Sequence, residues 1–300
     1  MNAIASNRRL TGIFSAWIII CFSYTLSLGI LYLLFPIPES FIANTPQYGI
    51  IATPFDIIFN TVINGTLVLW VVMRSSYTGF KLYLQIFLPV FFVQTFQTQI
   101  ETAYFIDSFP LLKGNFEVYM LFFRGAAATA VFAGITLFIA SKVIKRRIGG
   151  KSFEVSTDRI IKKSLWLSFV YFLLYILFGY FVAWQSSDVR LFYGGPEKLN
   201  SLTSQIRIFL LDMPEMPFFQ YCRGFLWIAC LVPIFRGFTA SRGELVILSA
   251  LFLGLMPTVQ LVYPNPMMPK EVSVFHFAEV TISNGIFGAL AAWLVPVKSI

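Results

Sequence analysis

Charged side chains and histidine are scarce in this sequence. Only 12% of its 300 residues are Asp, Glu, Lys or Arg, and His276 is the single histidine. One imidazole cannot build a multi-histidine metal centre, which excludes histidine-cluster hydroxylases and multi-histidine zinc hydrolases. His276 and Glu279 have the i, i+3 spacing of carboxylate metal sites in helix bundles, but the further ligands that a metal needs are lacking. We therefore predict no metal site and no cofactor.

Cysteine and nucleotide-binding motifs are also missing. The three cysteines, Cys21, Cys222 and Cys230, lie inside apolar runs and have no CxxC spacing. This pattern argues against a disulfide framework and against a thiolate metal site. The sequence also lacks a Walker sequence, a GxGxxG stretch and a GxSG-type serine motif. An ATPase, a dinucleotide-dependent enzyme and an intramembrane serine protease therefore have no support.

Apolar side chains are abundant: 57% of the residues are hydrophobic, 18% are aromatic, and the mean hydropathy is +0.76. The hydrocarbon core of a bilayer is roughly 30 Å thick, so a helix that crosses it needs about 20 mostly apolar residues. We predict an all-α integral membrane protein, a polytopic bundle of about eight transmembrane helices that forms one domain over residues 1–300. The predicted spans are 12–35, 48–73, 82–100, 117–140, 164–184, 216–235, 244–263 and 275–296.

Lysine and arginine are distributed unevenly among the segments that join these spans. If the N-terminus is cytoplasmic, fifteen of the 22 basic residues fall on the cytoplasmic side and five on the other, while Arg124 and Arg223 fall inside spans. Cytoplasmic loops of membrane proteins are enriched in Lys and Arg. We therefore predict an even number of spans with both termini in the cytoplasm, in the cytoplasmic (inner) membrane of a bacterium.

A basic loop, residues 142–163, joins the fourth span to the fifth and divides the chain into halves, 1–141 and 164–300. Basic segments of this kind bind nucleic acid or anionic lipid. Neither aromatic interleaving nor a recognition helix accompanies the loop, so we interpret it as a topology determinant beside anionic headgroups. The expected partner is the lipid bilayer, no nucleic-acid partner is expected, and nothing in the sequence indicates an oligomeric state.

Polar side chains concentrate in the non-cytoplasmic half of the even-numbered spans and at the end of the third. A charged group at the bilayer centre costs about 3 kcal/mol, so such residues usually face the bundle interior and often mark function. The second span carries Asp56, Asn60 and Asn64 on one helical face. The others are Glu101 in the third span, Glu117 and Arg124 in the fourth, Glu215 and Arg223 in the sixth, and His276, Glu279 and Asn284 in the eighth.

Each even-numbered span contains a polar residue followed at once by glycine. The four pairs are Asn64-Gly65, Arg124-Gly125, Arg223-Gly224 and Asn284-Gly285. The segments TVING (61–65) and TISNG (281–285) are alike, as are FFRG (122–125) and QYCRG (220–224), which suggests a 4+4 pseudo-repeat. Because glycine permits neighbouring helices to approach closely, we expect tight helix crossings at these four positions.

The polar residues are expected to face one shared cavity that opens to the non-cytoplasmic side. Arginine keeps its proton, so Arg124 and Arg223 require carboxylate partners or an anionic ligand. A competing interpretation is that the charges form buried ion pairs that only fix helix register. The predicted ligand-binding residues are Arg124, Arg223, Asn64, Asn284, Glu101, Glu117, Glu215, His276 and Glu279.

Three functions stay open at this point. The first is a carrier or binding protein for a small anionic or zwitterionic solute, with Arg124 and Arg223 holding the solute and His276 and carboxylates coupling protons. The second is a membrane enzyme acting on a lipid or lipid-linked substrate at the outer leaflet, with Glu215, Glu279 or His276 as acid or base. The third is a sensor or assembly partner without turnover that makes its cytoplasmic contact through the basic loop.

Overall fold

A computed structural model describes residues 2–34, 54–109, 112, 114–144, 152–262 and 267–298. Eight helices of these residues are long and apolar enough to cross a membrane, which confirms the predicted multi-pass all-α bundle. We number them in chain order: Asn2–Leu34, Pro54–Met73, Gly79–Tyr104, Asn115–Lys142, Thr157–Phe181, Glu215–Gly237, Arg242–Leu255 and Lys270–Leu294. Residues 35, 48–53 and 263 of the predicted spans and 145–151 of the basic loop lie outside the described residues.

Large apolar side chains cover the outside of these helices. Phe22 is 72% exposed, Phe138 64% and Trp166 56%. In water such side chains would favour burial, whereas the hydrocarbon core of a bilayer solvates them. The exposed apolar surface therefore supports a lipid environment for the protein.

The third helix is continuous but changes its winding after Pro89. It consists of an α-helical piece, Gly79–Phe91, a π-helical turn, Phe92–Phe96, and a second α-helical piece, Gln97–Tyr104. Proline lacks the N–H that an α-helix needs at that position, and a π-helical turn is often found near functional sites. The polar residues of this span thus follow an irregularity in the helix.

Short elements complete the described fold. The 3₁₀ turns are Ile106–Ser108, Ala183–Gln185 and Val259–Val262, the short helices are Ser187–Phe192 and Leu202–Arg207, and a second π-helical turn is Ile208–Asp212. Two short strands, β1 (Phe153–Glu154) and β2 (Val297–Lys298), pair antiparallel, with Phe153 opposite Lys298. This pairing ties the linker between the halves to the C-terminal segment.

The helices pack in the same order in both halves. In the first half, the first helix packs on the second and the fourth, and the third packs on the fourth. In the second half, the fifth packs on the sixth and the eighth, and the seventh packs on the eighth. The halves meet where the third helix contacts the sixth and where the second contacts the seventh.

Connections of the two halves come together at one end of the bundle. The Ser76 amide donates to the Gly237 carbonyl at 2.8 Å, which joins the turns that follow the second and sixth helices. Arg159, at the start of the fifth helix, donates through Nε to the Val295 carbonyl at 2.8 Å. We call this the terminal end, because the C-terminal strand lies there. The opposite end holds residues 105–109 and 182–214.

Two of the expected glycine crossings join the first two helices of each half. A β-carbon on Gly65 of the second helix would lie 2.9 Å from Cα of Cys21 in the first. A β-carbon on Gly224 of the sixth helix would lie 2.8 Å from Cα of Ser168 in the fifth. Backbones this close leave no room for a side chain, so both crossings depend on glycine.

The other two glycines differ from each other. A β-carbon on Gly125 of the fourth helix would lie 2.8 Å from Cβ of Thr95 in the third. At Gly285 of the eighth helix the nearest atom is the Ala250 carbonyl oxygen of the seventh, at 3.6 Å, which is an ordinary contact. The seventh helix is nevertheless close at this position, because a β-carbon on Gly254 would lie 3.3 Å from Cα of Gly285. The absence of a side chain is therefore sterically required at three of the four glycines.

Candidate functional site

A cavity of about 1050 Å³ lies between the two halves. Every long helix except the seventh contributes side chains to its wall, and the turn after the seventh supplies Thr258. At the end away from the terminal end, Tyr193 and Met267 close part of the wall. The cavity is therefore placed in the half of the bundle to which the sequence assigns the polar side chains.

An ion pair between the third and sixth helices forms one wall. Arg223 donates from both terminal nitrogens to the Glu101 carboxylate, at 2.7 and 2.8 Å. The Arg223 side chain is 5% exposed and that of Glu101 is 34% exposed. A bidentate contact of this kind is the strong geometry for an arginine and a carboxylate. Both side chains line the cavity.

Amide groups surround this ion pair. Gln220, one turn before Arg223, accepts a hydrogen bond from it at 3.0 Å. The Gln97 side-chain amide donates to the backbone carbonyl of Arg223 at 3.2 Å, which fastens the third helix to the sixth. Among the described residues, Nε of Arg223 and Oε1 of Gln99 have no hydrogen-bond partner. Nε1 of Trp227, another lining residue, is likewise without a partner, so two donors and one acceptor of these described lining side chains are unsatisfied.

A second polar cluster joins the eighth helix to the segment after the fifth. Nδ1 of His276 lies 2.9 Å from Oε2 of Glu279, and Nε2 of His276 lies 3.0 Å from the Tyr193 hydroxyl. The Glu279 side chain is 8% exposed. An imidazole between a carboxylate and a hydroxyl is held in one orientation and can accept or pass a proton through its second nitrogen.

The Tyr193 hydroxyl keeps its proton at neutral pH. Tyr193 lies outside the membrane-spanning helices, where burial raises its pKa well above the ordinary value, and the negative charges of Glu101 and Glu279 raise that pKa further. Neutral His276 can therefore accept a hydrogen bond from Tyr193 at Nε2 while it donates to Glu279 from Nδ1.

A chain of amides connects the second and third helices. Gln94 of the third helix donates to Oδ1 of Asn64 at 2.7 Å, and Asn64 donates in turn to Oδ1 of Asn60 at 2.5 Å. Asn60 and Gln94 line the cavity, whereas Asn64 is fully buried behind them. Asn64 thus orients the lining from behind.

The structure places the predicted ligand-binding residues in the cavity lining, behind it or outside it. Glu101, Arg223, His276, Glu279 and Asn284 line the cavity. Asn64 lies behind the lining, as described above, and three further residues stand outside the lining: Glu117, Arg124 and Glu215. Glu215 is exposed and accepts a hydrogen bond from the Tyr104 hydroxyl at 3.3 Å.

Helix geometry explains the position of Arg124. Gly125, the next residue, lines the cavity and packs against Thr95. Successive residues of an α-helix are about 100° apart, so the side chain before a cavity-facing glycine leaves the helix in another direction. The same rule holds for Gly65 and Asn64, of which only the glycine forms the tight crossing.

Aromatic rings form a large part of the cavity wall. The pattern of polar residues in the sequence does not indicate them. They include Tyr171 and Tyr175 of the fifth helix, Trp184 and Tyr193 of the segment after it, and Trp227 of the sixth. In an apolar span these residues resemble ordinary core side chains. The spacing of Gln94, Thr98 and Thr102, each four residues apart, is the sequence signal that does mark a polar face.

Arg190 organises the segment between the fifth and sixth helices. Its guanidinium donates to the backbone carbonyls of Trp184, Pro196 and Glu197, and the distance to the Pro196 oxygen is 3.1 Å. Arg190 also lines the cavity. The three carbonyls hold the loop that presents Tyr193 to His276.

Metal ligands do not converge in the described part of the chain, where no group of three or more His, Cys, Asp or Glu side chains is placed to hold an ion. A scan against known protein families, a search of curated proteins and a search of solved structures each returned no match.

Proposed function

We propose that this protein is a membrane carrier or ligand-binding protein that takes a small zwitterionic solute into the cavity between its two halves. The observation that carries the proposal is the lining of this cavity, which holds a buried arginine paired with a carboxylate and, separately, a buried carboxylate beside a histidine. Intramembrane charges of this kind usually mark a substrate or ion pathway.

The charges favour a zwitterion over a simple anion. Arg223 is already neutralised by Glu101, and Arg124 stands outside the lining. Glu279 adds a second carboxylate. The lining also holds Arg190, so it carries two arginines and two carboxylates. A ligand that carries both signs meets a complementary partner for each of its groups, while a purely anionic ligand uses the arginines only and is repelled by both carboxylates.

Packing of the two halves supports a carrier. The order of helix contacts is the same in each half, and the crossings at Gly65 and Gly224 join equivalent helices. We interpret the halves, residues 1–141 and 164–300, as a 4+4 pseudo-repeat. Each half contains an even number of helices, so the two run in the same direction, and binding sites of transporters often lie at such repeat interfaces.

Orientation follows from charge. The terminal end carries the basic residues Arg74, Arg159, Arg236 and Arg242, and cytoplasmic surfaces are enriched in Lys and Arg. We propose that this end faces the cytoplasm of a bacterium, with the protein in the cytoplasmic membrane. The cavity then lies toward the outer side and receives its ligand from there.

Uptake by purified protein in liposomes tests the carrier proposal. Labelled amino acids and betaines serve as small zwitterions, and carboxylic acids of the same size serve as anions. We expect uptake of at least one zwitterion and its loss in Glu101→Gln and in Arg223→Gln. Arg236→Gln is the matched control, because Arg236 is an exposed arginine at the other end of the same helix.

The result that overturns the proposal is equally concrete. The proposal is contradicted if Glu101→Gln and Arg223→Gln each bind and take up zwitterions as well as the unaltered protein does. It is also contradicted if the protein neither binds nor takes up any member of the panel. The double variant Glu101→Gln/Arg223→Gln, which removes both charges, separates loss of the site from loss of the fold.

A second candidate function is supported by the hydrogen-bonded row of Glu279, His276 and Tyr193. A carboxylate that orients an imidazole toward a hydroxyl is a common arrangement for general acid–base catalysis. In this case the substrate is a lipid or lipid-linked molecule at the outer leaflet. Lipid extracts of a deletion strain distinguish the two functions, since loss of an enzyme accumulates a precursor and loss of a carrier does not.

A further inference from the structure

The negative charge of Glu279 is balanced by His276, which can lose its own positive charge. Its carboxylate is almost fully buried, and its charged neighbour is His276 at 2.9 Å. Glu101, by contrast, faces Arg223, which stays charged at any pH that a protein tolerates. A buried carboxylate is costly unless a positive group lies beside it. When His276 is neutral, the Glu279 carboxylate therefore attracts another cation.

Among the described residues, the other groups bonded to His276 and Glu279 do not supply that cation. Tyr193 contributes a protonated, uncharged hydroxyl. Arg223 of the sixth helix is held by Glu101 of the third, and the guanidinium of Arg190 is engaged by three loop carbonyls. The seventh helix brings no charged side chain to this end of the bundle.

Aromatic lining groups suit a positively charged ligand group. Tyr175, Tyr193 and Trp184 line the same cavity, and the faces of aromatic rings attract cations. An ammonium group supplies the positive charge that the Glu279 carboxylate needs when His276 is neutral.

We propose that Glu279 and His276 form an exchange site at which the ammonium group of the ligand replaces a proton. The inference rests on the proposed function, because it assigns one end of a zwitterionic solute. In the empty site at acidic pH, His276 carries a proton on each nitrogen. As the ammonium group arrives at Glu279, the proton on Nε2 leaves to water, Nδ1 keeps its proton toward Glu279, and Tyr193 turns to donate to Nε2. One positive charge enters and one leaves.

Proton release on binding tests the exchange directly. The protein is placed in lipid nanodiscs in weakly buffered solution with a pH indicator dye, and the probes are the amino acids and betaines of the uptake panel. Binding is followed by tryptophan fluorescence, since Trp184 and Trp227 line the cavity. At acidic pH, where His276 of the empty site is protonated, we expect release of about one proton per bound zwitterion and an affinity that weakens by up to tenfold per pH unit as the pH falls. At alkaline pH, where His276 is already neutral, release and pH dependence should both disappear.

Variants assign the effect to the two residues. Glu279→Gln and His276→Gln should abolish both proton release and the pH dependence of binding. Glu279→Asp keeps the charge and should retain both. Glu271→Gln removes an exposed carboxylate two turns earlier on the same helix and should change neither. For each zwitterion that binds, the analogue without its amino group should bind at least tenfold more weakly.

The outcomes separate this inference from the proposed function. If a zwitterion binds or is taken up with no proton release and no pH dependence, the exchange site is wrong and the carrier proposal stands. Proton release that persists in Glu279→Gln also overturns the exchange site. If no zwitterion binds or is taken up, the proposed function fails and the inference fails with it.

Discussion

Arg223 and Glu101 face each other across the third and sixth helices, which belong to different halves of the chain, and share two hydrogen bonds of 2.7 and 2.8 Å. This ion pair sits beside the contact at which Gln97 also donates to the Arg223 carbonyl. The pair therefore contributes both to the lining of the cavity and to the attachment of one half to the other.

Removal of one partner should destabilise the protein more than removal of both. Glu101→Gln leaves a buried guanidinium without a counter-charge, which should cost about 3 kcal/mol, the low end for a buried pair because Glu101 is one-third exposed. The double variant Glu101→Gln/Arg223→Gln should unfold at a higher temperature than Glu101→Gln alone. Thermal unfolding in detergent measures both.

An exposed ion pair provides the comparison. Lys162 and Asp158 are 3.0 Å apart and each is 73% exposed. Lys162→Gln should change stability by less than about 1 kcal/mol, because solvent screens the pair. Equal losses for Lys162→Gln and Glu101→Gln would show that burial of the Arg223 pair carries no special cost.

Two glycine-to-alanine substitutions should have opposite outcomes. Alanine at Gly224 would place its β-carbon 2.8 Å from Cα of Ser168, so Gly224→Ala should lower stability by about 1–3 kcal/mol through overpacking. At Gly285 the nearest atom is 3.6 Å away, and alanine favours a helix by up to about 1 kcal/mol. Gly285→Ala should therefore unfold at the same or a higher temperature, and a large loss there would contradict the described packing.

Labelling from outside intact cells should report the orientation of the bundle. Lys198 lies in the exposed segment between the fifth and sixth helices, and Glu154 lies in the linker between the halves. A membrane-impermeant maleimide should react with Lys198→Cys in intact cells and with Glu154→Cys only after the membrane is opened. The three native cysteines are first replaced by serine or alanine, and the reverse pattern would invert the proposed topology.

Tyr193 should make the protein less stable at high pH. The pKa of Tyr193 is raised in the folded protein, so the folded state keeps a proton that the unfolded chain releases above about pH 10. Stability then falls as the pH rises past that value, by at most about 1.4 kcal/mol per pH unit for one proton. Melting curves between pH 9 and 11 should show a shallower loss in Tyr193→Phe.

Tyr119→Phe is the control for this titration, because Tyr119 is 66% exposed. Its melting temperature should follow that of the unaltered protein over the whole pH range. If stability falls as steeply at alkaline pH in Tyr193→Phe as in the unaltered protein, the group that loses the proton is not Tyr193.

Hydropathy was sufficient to predict the eight helices, because length and apolar composition alone decide whether a helix can cross a bilayer. It was less informative for the third helix, which extends over Gly79–Tyr104 rather than 82–100. Gln97 and Glu101 lower its mean hydropathy, yet they face other helices and a cavity rather than lipid. A one-dimensional average cannot distinguish these two surroundings.

The candidate site could be predicted only in part. Polar and charged side chains have a high free-energy cost inside a bilayer, and this cost is a signal that can be read from the sequence. It correctly indicates five residues of the cavity lining: Glu101, Arg223, His276, Glu279 and Asn284. The partners of these residues depend on helix rotation and on a connecting segment, neither of which follows from polarity. For that reason the sequence does not indicate the contact between Tyr193 and His276.

The π-helical turn Phe92–Phe96 determines which way the end of the third helix points. Each residue turns an α-helix by about 100°, and a π-helical turn holds one residue more than an α-helical turn. If the same residues were wound as a continuous α-helix, Glu101 would be rotated by about that angle. Deletion of one residue from this turn would instead convert it into an α-helical turn and leave Glu101 in its present direction relative to the buried Leu82 and Ile86. In the gene, an in-frame loss of a single codon within this turn would thus leave Glu101 facing Arg223.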